Sequence, residues 1–342
     1  SGLAAPAIAQ ERRLWRLVTS WPKDAPGPGT TARRLAESLT QLSGGRLTVE
    51  LFAAGELVPA FEVFDTVAAG TAEMGHSASF FWAGKLPAAP FFTAVPFGLM
   101  PEAHDAWIAF GGGQELWDEL YGALGVKPFL AGNSGFQMGG WYNRRIDSPA
   151  ALQGLRIRMP GLGGEVLRRL GATPVSLPPG EIFAALKSGV IDAAEFLGPW
   201  SDRAMGLQRA ARYYYWPGFH EPNGSAECLV NARALAALPD DLRALVALAC
   251  AAENQRGLAE CELYYAQALA ELQGEAETTL ARFPEPVLLA ARAAAEEVLA
   301  ELAARDALAG RIHASFLAAR ERAVAWGEVS RHALLGAQLL PA

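Results

Sequence analysis

Ser188-Gly-Val-Ile-Asp-Ala-Ala-Glu-Phe-Leu-Gly-Pro-Trp200 decides how the chain is read. A helical segment, Glu181 to Lys187, stops at Gly189. Val190 and Ile191 then begin a short buried strand that delivers Glu195, followed by Phe196 and a Gly-Pro turn. A carboxylate at the carboxyl end of a strand in an open α/β sheet lies where such sheets bind ligands. The design occurs twice. Glu62-Val-Phe-Asp-Thr-Val-Ala-Ala-Gly-Thr-Ala-Glu73 matches Glu181-Ile-Phe-Ala-Ala-Leu-Lys-Ser-Gly-Val-Ile-Asp192, with Glu, Phe, an apolar residue, Gly and an acid at the same offsets. Such a repeat predicts two similar α/β lobes, each ending a helix-Gly-strand unit at a shared cleft.

Working toward the N-terminus, Leu14 to Thr19 reads as a strand. A proline- and glycine-rich loop, Ser20 to Gly29, follows. Thr30 and Thr31 are candidate caps for a helix from Ala32 to about Leu42, which Gly44-Gly45 stops. Arg46 to Phe52 alternates, with Leu47, Val49 and Leu51 on one face. Strand, helix, strand predicts a parallel pair. The first repeat runs on into Gly75-His76-Ser77-Ala78-Ser79, which lacks the second glycine of a hydrolase nucleophile elbow. Phe80, Phe81 and Trp82 follow and read as cleft lining.

Farther on, Ser134-Gly-Phe-Gln-Met-Gly-Gly-Trp-Tyr-Asn143, read as a strand, puts Gln137 and Gly139 on one face. Gln137 is then either solvated or stands on a surface cleared by glycine. Leu155 to Met159 alternates and puts Arg156 and Arg158 on one face. They are either solvated or an anion site, since guanidinium grips carboxylate through two hydrogen bonds. Thr173 to Leu177 is a further strand. Glu221, between His220 and Pro222, is a loop acid: a solvated charge or a ligand contact. From Ala232 the chain reads as helical, broken at Pro239 and at Pro284-Glu-Pro286.

Composition sets limits. The chain has 342 residues, 51% apolar and 19% charged, with net charge −7. That suits a two-domain globular protein and argues against a nucleic-acid partner. No apolar run approaches the ~20 residues of a membrane helix. Cys228, Cys250 and Cys261 form no CxxC pair; Cys250 and Cys261 lie ~16 Å apart on one helix face, too far for a disulfide. Ala7 and Ala9 have the small residues of a signal-cleavage site, which predicts an exported protein with residues 1–10 as a signal remnant. P-loop, dinucleotide, HExxH and SxxK motifs are absent, which shifts the expectation from enzyme to binder.

Leu152-Gln-Gly-Leu-Arg-Ile-Arg-Met-Pro-Gly161, the 181–195 unit and Gln137-Met-Gly-Gly-Trp141 together resemble the DctP-type extracytoplasmic solute-binding proteins of TRAP transporters, especially those binding α-keto acids and lactate. Trp21-Pro-Lys, Phe80 to Lys85 and Phe219-His-Glu-Pro-Asn223 fit as well. The resemblance implies a two-lobed α/β periplasmic-binding fold with long C-terminal helices. Its first lobe is 11–142, completed by parts of 230–280; its second is 143–229; and 230–342 packs on both and dimerises. Arg158 is implied to bind the ligand carboxylate, with Gln137, Glu195, Phe81, Trp200 and Asn223 as further contacts. A bridging Na⁺ or Ca²⁺ is implied, held by Gln137, Glu195, the Phe196 carbonyl and Glu221. The implied role is periplasmic capture of a 2-oxo or 2-hydroxy monocarboxylate for a membrane permease. A dicarboxylate or sugar acid is the nearest alternative, and a hydrolase using Ser77 the distant one.

Overall fold

The computed structural model describes residues 12–341, so the signal remnant lies outside the described residues. The first part of the chain runs β1 (Arg13–Thr19), α1 (Pro28–Leu42), β2 (Leu47–Phe52), α2 (Val63–Ala68), β3 (Met74–Ser77), α3 (Pro101–Phe110), α4 (Gly113–Gly122) and β4 (Val126–Asn133). The second runs β5 (Gly140–Tyr142), β6 (Arg156–Arg158), α5 (Gly161–Arg169), β7 (Thr173–Val175), α6 (Ile182–Lys187), β8 (Ala193–Ala194), α7 (Pro199–Ala204) and β9 (Tyr213–Trp216). Then come β10 (Ser225–Asn231), α8 (Ala232–Ala236), α9 (Asp240–Gln273), β11 (Thr279–Arg282), α10 (Glu285–Ala303), α11 (Ala307–Gly327) and α12 (Ala333–Gln338).

Two sheets form, in the orders β2-β1-β3-β10-β4 and β11-β9-β5-β8-β6-β7. β1 pairs in parallel with β2 and β3, as the βαβ pattern predicts. β6 does the same with β7 and β8. In each sheet the next strand is antiparallel, β10 beside β3 and β5 beside β8, and β4 and β10 lie in one sheet while β5 and β9 lie in the other. The chain therefore crosses between lobes at 134–139 and again at 217–224, and both crossings run through the cleft.

The repeat seen in the sequence is structural. Gly70 and Gly189 both end their helices with φ +75°, a left-handed turn that glycine takes without penalty. Glu73 accepts bonds from the Arg16 backbone and guanidinium, and Asp192 accepts the same bonds from Arg156. Matching Glu62 with Glu181 sets His76 opposite Glu195, at the ends of β3 and β8.

Three local expectations are corrected. The strand after Gly189 is only Ala193–Ala194, because the turn extends to Asp192 and leaves Val190 63% exposed. Helix α1 begins at Pro28, which suits its first turn; Thr30 and Thr31 lie inside it and bond back to the Gly27 carbonyl. The tail holds a strand, β11, which pairs in parallel with β9.

Helix α9 spans both lobes, packing on β4 and α1 of the first and α7 of the second. Arg34 of α1 fastens it through Glu253 and Glu260. Helix α10 lies on α5, and α11 lies on α3 and α4. The three cysteines are buried and unbridged. Among the described residues no helix is long and apolar enough to cross a membrane.

Candidate functional site

Arg158 ends β6 in the cleft and is 2% exposed. Its Nη1 donates to the Glu195 carbonyl at 2.7 Å and to Glu195 Oε1 at 2.5 Å, and its Nε donates to the Leu177 carbonyl at 3.3 Å. Nη2 has no protein acceptor among the described residues, and Arg158 lines a cavity. Arg156, on the same strand, is exposed and held by Asp192, so only one arginine serves the cleft.

Glu195 takes a second partner across the crossing: His220 Nε2 lies 3.1 Å from Oε2. A ligand atom from each of Glu195, His220 and Glu221 lies within 4.8 Å of the others, and all three residues are buried. Burial first, and then the Glu195 charge, push the Glu221 carboxyl well above the usual carboxylate range; Arg158 and the Gln137 amide pull it back. Gln137 is no strand residue, because 134–139 is the first crossing. It is 6% exposed and donates from Nε2 to Ser134 Oγ at 2.7 Å. Its Oε1 is buried with no partner. An orphaned acceptor on a side chain that meets the Glu221 carboxyl is a place for a cation.

The cavity is lined by Trp21, Phe81 and Thr93 of the first lobe, Gln137 and Glu221 of the crossings, and Phe196 of the second, among others. The volume open to the centre of a water molecule is about 40 Å³, room for roughly three or four waters. Phe81 packs on Trp21 and Phe61 at 6.1 and 4.9 Å between ring centroids.

Three expected contacts do not line the cavity: Glu195, engaged by Arg158 and His220, and Trp200 and Asn223. Trp200 turns away and packs at a tilt against Tyr264 of α9, 4.7 Å between ring centroids. Asn223 is a brace: its Oδ1 accepts from Asn133, and its Nδ2 donates to the Thr93 carbonyl and Ser225 Oγ. Sequence reasoning missed His220, whose one signal was its place beside Glu221. It also gave no separate role to Trp21, Thr93 or Ser134. The nucleophile reading fails on geometry. Ser77 Oγ is buried against Ser20 Oγ at 2.6 Å. His76 accepts the Trp21 indole N–H at Nδ1 and donates from Nε2 to the Ala131 carbonyl. Burial holds His76 neutral, with its pKa lowered to about 4.

Residues 17–306 match the bacterial extracellular solute-binding proteins, family 7 (DctP). The chain belongs to that family. It is a TRAP-type periplasmic solute-binding protein. A monocarboxylate 2-oxoacid-binding periplasmic protein of Nostoc sp. strain PCC 7120 is 40% identical over 92% of this chain and 86% of its own. A solute-binding protein of Bordetella bronchiseptica RB50 superposes with TM-score 0.94 at 36% identity, covering 96% of this chain and 97% of that one. It is a mixed-occupancy dimer with copurified calcium and picolinate in one active site against an apo site. A third, from Pseudoalteromonas atlantica T6c, has bound sodium and pyruvate; its TM-score is 0.92 at 37% identity, over 95% and 99% of the two chains.

Proposed function

We propose that this family member captures a small 2-oxo or 2-hydroxy monocarboxylate together with Na⁺ or Ca²⁺ and hands it to a TRAP permease, without catalysis. The observation that carries the reading is that the buried Arg158 guanidinium and the partnerless Gln137 Oε1 belong to residues lining one cavity. One is a carboxylate donor and the other a hard oxygen acceptor, as a chelated 2-oxo acid requires. The residues fit a cation bound through oxygen. Gln137, Glu195, Glu221 and the Phe196 carbonyl would hold it, and it would supply a positive centre for the ligand's carboxylate and 2-oxygen. His220 orients Glu195, as partners behind ligating groups do. Arg158 fixes the carboxylate, while Trp21, Phe81 and Phe196 surround the apolar remainder and keep water out. The apolar Trp21, Phe81 and Phe196 in the cavity wall favour this over a dicarboxylate or sugar acid.

Thermal unfolding of ligand-free protein tests the proposal. Pyruvate, lactate, 2-oxobutyrate, 2-oxoisovalerate, succinate and glucuronate are each added with Na⁺, Ca²⁺ or chelator. Binding to the native state raises the midpoint by mass action. We expect a cation-dependent rise with a monocarboxylate; a rise confined to succinate or glucuronate would discard the ligand class.

A second copy of the chain completes the reading. Val324, Trp326, Leu334 and Leu335 on the tail helices, Leu339 and Leu340 just after them, and Phe110 are all more than half exposed. So many large apolar side chains on one projecting element mark an association surface. Sedimentation should give a dimer for the whole chain and a monomer for a chain ending at Gly327; a dimer in both would place the interface elsewhere.

A further inference from the structure

The Gly-Pro turn after Phe196 is not explained by ligand contact, since Trp200 faces away from the cavity. Its next two residues reach in opposite directions. Asp202, fully buried, holds the turn to its own lobe: Oδ1 accepts the Leu197 backbone N–H at 3.0 Å, and Oδ2 accepts the Tyr214 hydroxyl at 2.8 Å and the Trp141 indole N–H at 3.2 Å. Trp141 and Tyr214 are themselves stacked at 4.1 Å. Leu197 in turn accepts Met138 N–H from the first crossing, one residue from Gln137.

Ser201 reaches the other lobe. It is 1% exposed, and its Oγ donates to the Pro26 carbonyl at 2.9 Å. Pro26 lies in the loop between β1 and α1, where Pro22, Pro26 and Pro28 restrict the backbone. The fit there is close. A Cβ on Gly27, whose φ is +87°, would sit 3.3 Å from Ser201 Oγ and 3.8 Å from Leu197. A Cβ on Gly180 of the second lobe would sit 3.9 Å from Pro22 of the same loop. Gly27, Pro28, Phe196 and Leu197 all line the cavity, so this junction is part of its wall.

We propose that Ser201 and Asp202 are positioning residues that make the 197–198 turn and the start of α7 a latch between the lobes: Asp202 fixes the turn, Ser201 fastens it to the Pro26 carbonyl, and the bond sets how long a solute is held. The inference rests on the ligand reading above. Neither side chain lines the cavity, so the latch acts on escape and not on recognition.

Stopped-flow binding of pyruvate with Ca²⁺ to wild type and Ser201→Ala tests it. The dissociation rate is expected to rise about three- to tenfold, the worth of one hydrogen bond, with the association rate and the midpoint of chelator-treated, ligand-free protein unchanged. Asp202→Asn, which disturbs three donors, is expected to raise the dissociation rate and also lower the ligand-free midpoint. An unchanged dissociation rate in Ser201→Ala overturns the latch. So does a ligand-free midpoint that falls as far as the liganded one, because the bond would then be merely structural. A wild-type protein that takes no pyruvate with either cation overturns the ligand reading, and the latch with it.

Discussion

Arg158→Lys is expected to weaken pyruvate binding by roughly 30- to 100-fold, and Arg158→Ala to remove measurable binding. The two should differ as much in stability as in affinity. In the native protein Arg158 makes three donor contacts to lobe II before any ligand arrives, two to Glu195 and one to the Leu177 carbonyl. Arg158 also lines the cavity. Lysine brings the charge but no planar fork, so it cannot hold Glu195 and a ligand carboxylate together. A charged hydrogen bond is worth about 1.5–3 kcal/mol, which sets the factor. Alanine goes further: Glu195 at 1% exposure and Glu221 at 5% lose their buried countercharge. Breaking a buried pair from one side costs about 3–5 kcal/mol, so the ligand-free midpoint should fall sharply in Arg158→Ala and little in Arg158→Lys. Calorimetric titration and melting of both variants decide it. Retained affinity in Arg158→Ala would put the carboxylate elsewhere in the cleft.

What could be read from the sequence, and what could not, divides by distance along the chain. The period-2 pattern of Leu47–Phe52 and the repeated helix-Gly-strand unit depend on neighbouring residues, and both are present. Alternation in Leu155–Met159 puts Arg156 and Arg158 on one face without choosing between them; the family resemblance singles out Arg158. The contacts that define the site span longer separations. Arg158 pairs with Glu195, 37 residues away, and Glu195 with His220, 25 residues away. No spacing rule links such positions until the strands are paired.

The misreadings have the same origin. Gln137 sits in a glycine-rich run whose alternation mimics a strand, yet the run crosses between lobes, with Met138 N–H bonding to Leu197 and Gly139 N–H to Tyr215. Strand β11 is four residues at the end of an Ala- and Glu-rich helix, and only its partner β9 makes it a strand. Trp200 could be assigned to the cavity only until Tyr264, on a helix distant in sequence, offered it a face. Asn223 has the right residue type for a ligand, but Asn133, Thr93 and Ser225 occupy its polar atoms.

Gln137→Leu separates stability from binding more cleanly than any carboxylate substitution. The side chain is uncharged, so its removal takes no charge from the site, although Glu221 loses the pull of the Gln137 amide. Leucine loses the Nε2 bond to Ser134, worth about 0.5–1.5 kcal/mol, but also removes an acceptor whose burial without a partner costs about 1–3 kcal/mol. The two terms oppose, and the ligand-free midpoint should move by no more than a few degrees in either direction. Binding has no such compensation. An oxygen that no protein group satisfies is available to a cation, and a branched alkyl group in its place offers none. The stabilisation by pyruvate with Na⁺ or Ca²⁺ should therefore drop to what chelator-treated wild type shows. If Gln137→Leu keeps the full cation-dependent shift, Oε1 is an accident of packing and the cation rests on Glu195, Glu221 and the Phe196 carbonyl. If the midpoint collapses without ligand, Gln137 is a structural member of the crossing.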